Sequence, residues 1–127
     1  MAFARREHAA YFVSIHANAG GGYGFEIFYP LGEPYTESSR QFAHSLGADY
    51  GRATGLKPRS PYDGVKDERQ SMVRRLGVLH GHLPSTDAVL LELAFIDNAV
   101  ELALMKTKEF KAEVAVSLAD AVGKPIG

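Results

Sequence analysis

Ala88-Val-Leu-Leu-Glu-Leu-Ala-Phe-Ile96 is an apolar run broken only by Glu92, framed by Pro84-Ser-Thr-Asp87 before it and Asp97-Asn98 after it. A continuous apolar run of this length between turn signals reads as a strand buried on both faces. An ionised carboxylate in such a strand is costly unless it is paired, hydrogen-bonded or beside a metal. The plain reading of Glu92 is a side chain near a strand end that reaches solvent or a structural Arg. A second stretch adds a functional reading. Tyr11-Phe-Val-Ser-Ile-His-Ala-Asn-Ala-Gly20 is an apolar strand that runs into His16, a small-residue turn and Gly20-Gly21-Gly22. Two buried strands that each deliver one chemistry-bearing side chain define a candidate site.

The chain has 127 residues, enough for one domain that buries roughly two thirds of its unfolded surface. Lys and Arg number 14 against 15 Asp and Glu, a formal charge of -1, so the charge balance indicates neither a nucleic-acid nor a membrane-surface partner. No apolar run is long enough to span a bilayer, and Met1-Ala-Phe-Ala-Arg-Arg-Glu-His8 lacks the apolar core and cleavage site of a signal peptide. There is no Cys, which excludes disulfides and thiolate metal sites. Any metal would be held by His, Asp or Glu.

Around the two strands the chain reads as alternating elements. The opening residues resemble the tail of a helix. Gly24-Phe-Glu-Ile-Phe-Tyr29 alternates with period two, placing Phe25, Ile27 and Tyr29 on one face and Glu26 and Phe28 on the other. Thr36 is expected to cap a helix whose apolar stripe is Phe42, Leu46 and Tyr50 and whose stop is Gly55. His44 falls on its polar side and is expected to be solvated. Lys57 to Gln70 is polar and turn-rich, the longest stretch without periodicity, and so a candidate substrate-contacting rim. A solvated connector is the equal alternative. Leu76, Val78 and Leu79 suggest a short strand. Asn98 and Glu101 form a capping-box pattern for a helix to Met105. Thr107 opens a last helix, with Phe110, Val114, Leu118 and Ala121 or Val122 on one face and Gly123 and Pro125 at its end. The expected fold is α/β, a mixed or mainly parallel sheet of about four strands with helices on both faces.

Ser14-Ile-His-Ala-Asn18, then Gly24-Phe-Glu26, then Leu90-Leu-Glu-Leu-Ala-Phe-Ile-Asp-Asn98 with Glu101, resemble in this order the zinc-dependent N-acetylmuramoyl-L-alanine amidases of bacterial autolysins, sporulation hydrolases and phage endolysins. The resemblance runs from about Tyr11 to the end. It implies a peptidoglycan hydrolase that cleaves the amide between N-acetylmuramic acid and L-alanine, acting at the cell wall or outside the cell, or held in the cytoplasm until release in a phage endolysin. It implies His16 as a zinc ligand and Glu92 as the catalytic carboxylate beside the attacking water. Asn18 and Glu26 are the substrate-binding candidates, although Asn18, like Asp97 and Asn98, also suits a loop-shaping role and Glu26 has no assigned chemistry.

One departure stands out. The family's domain begins with a strand leading to a His-Gly-Gly type of turn, with a ligand Glu on the next helix, and neither motif occurs here. The expectation is a single amidase-type domain over residues 1–127 that lacks the family's first strands and encodes one zinc ligand and the base. His8, or His80 with His82, could replace the other ligands, but surface histidines are the simpler expectation. The alternatives to catalysis are a non-catalytic muropeptide-binding domain or an inactive fragment.

Overall fold

A computed structural model describes residues 2–32, 34–59 and 63–123. Helix α1 (Ala2–Arg6) leads into β1 (Tyr11–Asn18), then β2 (Glu26–Tyr29), α2 (Thr36–Thr54), β3 (Val65–Asp67), β4 (Asp87–Phe95), α3 (Ala99–Met105) and α4 (Lys108–Gly123). The four strands form one mixed sheet in the order β1-β4-β2-β3. β1 runs parallel to β4, β2 antiparallel to β4, and β3 parallel to β2. The apolar run that marked β4 therefore lies in the interior of the sheet, between two neighbours.

Alternation along the strands divides the core in two. Ile27, Val89 and Leu91, with Tyr11 and Val13 beside them, face α2 and α4 and pack on Phe42, Leu46, Tyr50, Phe110 and Ala121. The expected stripe of α2 is buried throughout. Tyr50 also donates its hydroxyl to the Leu93 carbonyl at 2.6 Å, pinning β4 one residue past Glu92. On the opposite face Phe28, Ala88 and Leu90 pack with Leu79, Leu76, Val78 and Phe12. Here the cover is short. Leu76–Leu79 is no strand: Gly77–Leu79 is a 3-10 turn lying over the sheet. Its apolar residues do not alternate with period two, and its backbone bonds close locally, from Leu79 N–H to the Leu76 carbonyl and from His80 N–H to that of Gly77. Covering a face suits it better than pairing at an edge.

Other boundaries also move. Tyr35, not Thr36, precedes the first turn of α2, and the Thr36 hydroxyl bonds back to Gly32. Gly55 ends α2 at φ 71°, a left-handed cap that favours glycine. Asn98 caps α3 as expected, accepting from the N–H groups of Val100 and Glu101. Glu101 does not reach back to close a capping box. Its carboxylate accepts instead from Gly24 N–H at 2.7 Å and Phe95 N–H at 2.8 Å, because two buried donors lie nearer than the helix start. Thr107 accepts from Phe110 N–H and opens α4, which closes at Gly123; Pro125 lies outside the described residues. The segment Lys57 to Gln70 holds more structure than its composition suggests: β3 and a 3-10 turn (Glu68–Gln70) fall within it, while Ser60, Pro61 and Tyr62 are outside the described residues. No helix among the described residues is long and apolar enough to cross a membrane.

Candidate active site

Register brings the site together. His16 is the in-register partner of Glu92 on the parallel β1–β4 pair, and Glu26 is the in-register partner of Glu92 on the antiparallel β2–β4 pair. Side chains of paired residues project from the same face of a sheet. His16, Glu92 and Glu26 thus stand in a row across three strands, on the face opposite α2 and α4. They line one cleft of about 660 Å³, together with Asn18, Arg59, Lys66, Leu76 and Leu90.

The loop joining β1 to β2 is shaped by the residues after β4. Asp97 accepts from the N–H groups of Gly20 and Gly21, each at 2.9 Å, and these bonds hold its carboxyl below the usual aspartate range. Gly24 sits at φ 86°, and a Cβ there would lie 2.4 Å from the Lys57 carbonyl, so only glycine lets the chain turn into β2 at this point. Asn18 uses both ends of its amide: Oδ1 accepts from Ala19 N–H at 2.9 Å, and Nδ2 donates to Glu26 at 2.7 Å. The expected loop-shaping role of Asn18 and its place in the cleft are one arrangement.

The two carboxylates differ sharply in their partners. Glu26, 3% exposed, accepts from Asn18, from Arg59 at 3.0 Å and from Lys66 at 2.8 Å. Burial alone would raise its pKa, but the hydrogen bonds and charges of Lys66 and Arg59 outweigh it and hold Glu26 below the ordinary glutamate range. Glu92 is half-buried, and its Oε2 is buried with no hydrogen-bond partner. Burial raises its pKa; His16 opposes that rise and the neighbouring Glu26 adds to it. A buried carboxylate oxygen without a donor, facing a cleft, is suited to hold or take a proton. His16 is exposed near the end of β1, two residues before Asn18, its Nε2 2.8 Å from the Ser14 hydroxyl.

The other histidines are placed elsewhere. His44 is partly exposed, as expected of the polar side of α2, and there it pairs with Asp63 at 2.5 Å. His82 is buried, with Nε2 against the Val78 carbonyl and its ring 4.4 Å from that of Phe12. His80 sits against the carboxylate of Glu68. The expected surface pair His80 and His82 is thus partly built into the 3-10 cover, because these two rings supply polar ends to an otherwise apolar face. His8 lies in the turn after α1 at φ 54°. None of the four is among the residues that line the cleft. Among the described residues no group of three or more His, Asp or Glu could hold a metal ion.

Arg59 and Lys66 lie in the stretch expected to be a substrate-contacting rim and do line the cleft, but the sequence singles out neither them nor Ser14. Ser14 stands two residues before His16 and so on the same face, a signal available from period two alone. For Arg59 and Lys66 the signal reached only the stretch as a whole, since without periodicity nothing distinguishes one position in it from the next.

The profile of the N-acetylmuramoyl-L-alanine amidase family matches residues 1–124. The chain is 34% identical over 125 residues to the endolysin of Bacillus phage SPP1, covering 95% of this chain and 43% of the endolysin. Its fold is similar to the catalytic domain of CwlV, an N-acetylmuramoyl-L-alanine amidase from Bacillus (Paenibacillus) polymyxa var. colistinus. That match has a TM-score of 0.75 and 29% identity, over 95% of this chain and 60% of that one. The apo form of the amidase Ami1 from Mycobacterium abscessus matches with a TM-score of 0.71 and 27% identity, over 92% of this chain and 55% of Ami1. The chain spans between two fifths and three fifths of the length of these relatives.

Proposed function

Because the chain belongs to the N-acetylmuramoyl-L-alanine amidase family, we propose that its cleft serves hydrolysis of peptidoglycan at the amide between N-acetylmuramic acid and L-alanine. One observation carries this reading: Glu92 Oε2 is buried, without a partner, and in register with His16. A carboxylate with a raised pKa takes a proton from an attacking water and returns it to the leaving amine, the two halves of general acid–base catalysis. Glu26 and its cations fix the floor beside Glu92, and Asn18 joins that network to the loop after His16. The site of action would be the cell wall, as for the family's autolysins and endolysins.

The family is generally zinc-dependent, and the donors present fit that ion in part. His16 would be a ligand and Glu92 the base beside it. A catalytic zinc takes three protein ligands and leaves one position open, and among the described residues no cluster of three exists. When bound, zinc would supply a more acidic water and a polarised scissile carbonyl. The shortfall in ligands favours a second reading, in which these 127 residues retain the substrate cleft and bind muropeptide without cutting it.

Two measurements separate the readings. Zinc titrated into the chain by calorimetry should bind weakly, since one imidazole cannot hold the ion tightly. Tight binding of one equivalent that is lost in His16→Ala would overturn the single-ligand count. In a zinc-competent form of the domain, Glu92→Gln should keep the fold and lower cleavage of purified peptidoglycan by about 10²- to 10⁴-fold. Turnover within a few-fold of the parent would remove Glu92 from the role of base.

A further inference from the structure

The cleft has two unlike walls. One is ionic, where Arg59 and Lys66 flank Glu26. The other is apolar, with Phe28, Leu76 and Leu90 below and the turn carrying Met72 and Val73 at the rim. Met72 is 98% exposed and Val73 68%, yet both line the same cleft as Glu92.

This turn stands on a fixed base. Glu68, 3% exposed, accepts from Leu31 N–H at 2.6 Å, from Leu76 N–H at 2.8 Å and from the His80 ring. It ties the start of the turn to its end and to the chain after β2. Although burial opposes it, these bonds hold the Glu68 carboxyl below the usual range, so the clasp stays charged at neutral pH. The Ser71 hydroxyl donates to the Glu68 carbonyl at 2.7 Å, and Arg74 N–H closes on the Ser71 carbonyl with Arg74 at φ 62°. A non-glycine residue in that conformation is uncommon and persists where its surroundings hold it there. A single exposed apolar side chain is ordinary. Two adjacent ones, at the tip of a clasped turn and at the mouth of a cleft, form a surface that gains when a ligand in the cleft covers it.

We propose that the Met72–Val73 tip is a specificity-determining wall that closes over the aliphatic part of the substrate beside the scissile amide. On the muropeptide reading, on which this rests, that part is the lactyl methyl and the alanine methyl. The exposed Arg74 and Arg75 that follow place positive charge beside it, complementary to the carboxylates of an acidic peptide stem. Continuity with the Glu92 cleft selects a cleft ligand over a lipid surface or a second copy of the chain, neither of which would need the space behind the tip.

The test uses the 127-residue chain and N-acetylmuramoyl-L-alanyl-D-isoglutamine as probe, with affinity read by calorimetry. Met72→Ser combined with Val73→Ser should weaken binding about tenfold, the scale expected for removing apolar contacts in a pocket, with no change in melting temperature. In the unmutated chain the probe should also slow oxidation of Met72 to the sulfoxide by peroxide, followed by mass spectrometry, and leave the half-buried Met105 unaffected. Undiminished affinity in the double variant, or equal Met72 oxidation with and without a bound probe, overturns the wall while leaving the cleft's function standing. Failure of the unmutated chain to bind the probe at all overturns the muropeptide reading, and the wall with it.

Discussion

Glu26 and Glu92 face one another across antiparallel strands, on the same side of the same sheet, yet their surroundings treat them in opposite ways. Glu26 is wired to two cations and an amide, and its charge is stabilised. Glu92 is left with a buried oxygen and no donor, and its charge is disfavoured. Residue type, register and sheet face are the same; the neighbours decide. In the half of the cleft toward β3 a carboxylate holds structure together, and in the half toward β1 a carboxylate is kept ready for a proton. Pairs of carboxylates pushed apart in this way are a recurring means of dividing roles between acid and anchor.

Substitution should expose the difference most strongly at Glu26. Glu26→Gln leaves Lys66, whose side chain is only 18% exposed, without its counter-charge, and leaves one carbonyl oxygen where two carboxylate oxygens accept from Asn18, Arg59 and Lys66. Breaking one side of a buried ionic network costs more than the network contributes. Half of this one reaches solvent through Arg59, so we expect a loss of about 2–3 kcal/mol in urea unfolding. Glu92→Gln should be neutral or slightly stabilising in the same assay, because it removes an unsatisfied buried oxygen's charge and no partner. Equal losses at the two positions would erase the distinction between anchor and proton carrier.

The halves also differ in how far the sequence reveals them. The β1 and β4 side was legible: Glu92 interrupts an apolar run, and His16 ends one, so each announces itself against a uniform background. Period two then puts Glu26 and Phe28 on a common face, where they pair with Glu92 and Leu90. The β3 side was not legible, because a three-residue strand inside a polar, Pro-broken segment carries no periodic signal. That segment's composition reads equally as a substrate-contacting rim or a solvated connector, and neither reading includes a strand. The strand pairing of Val65–Asp67 with β2 and the bond from Lys66 to Glu26 make it part of the sheet and of the anchor. The same limit explains Glu101. Its spacing from Asn98 fits a capping box, but buried N–H groups on Gly24 and Phe95, distant in sequence or across a turn, compete for it and win. Local pattern sees partners a few residues away, and these carboxylates are claimed by partners that only the fold brings near.

The smallest expected effect is on pH dependence, and its sign differs between the two glutamates. An unfolded glutamate titrates near pH 4.3, roughly. For Glu26 the folded value lies lower, so its stabilising contribution is complete above that pH and is lost as the pH falls through the folded value. For Glu92 the folded value lies higher. Between the two values the folded state binds more protons than the unfolded one, so its contribution is greatest below the unfolded value and declines as the pH rises through the folded value. Melting temperatures measured across this range should therefore show Glu92→Gln gaining on the parent as the pH rises above the unfolded value. Glu26→Gln should instead approach the parent as the pH falls below it. Other carboxylates contribute to the acid limb, Glu68 and Asp97 among them, but they are common to all three proteins and cancel in the differences. Parallel curves for the parent and Glu92→Gln above the unfolded value would mean that Glu92 ionises as freely in the folded protein as in the unfolded chain. The raised affinity for a proton that suits it to act as base would then be absent.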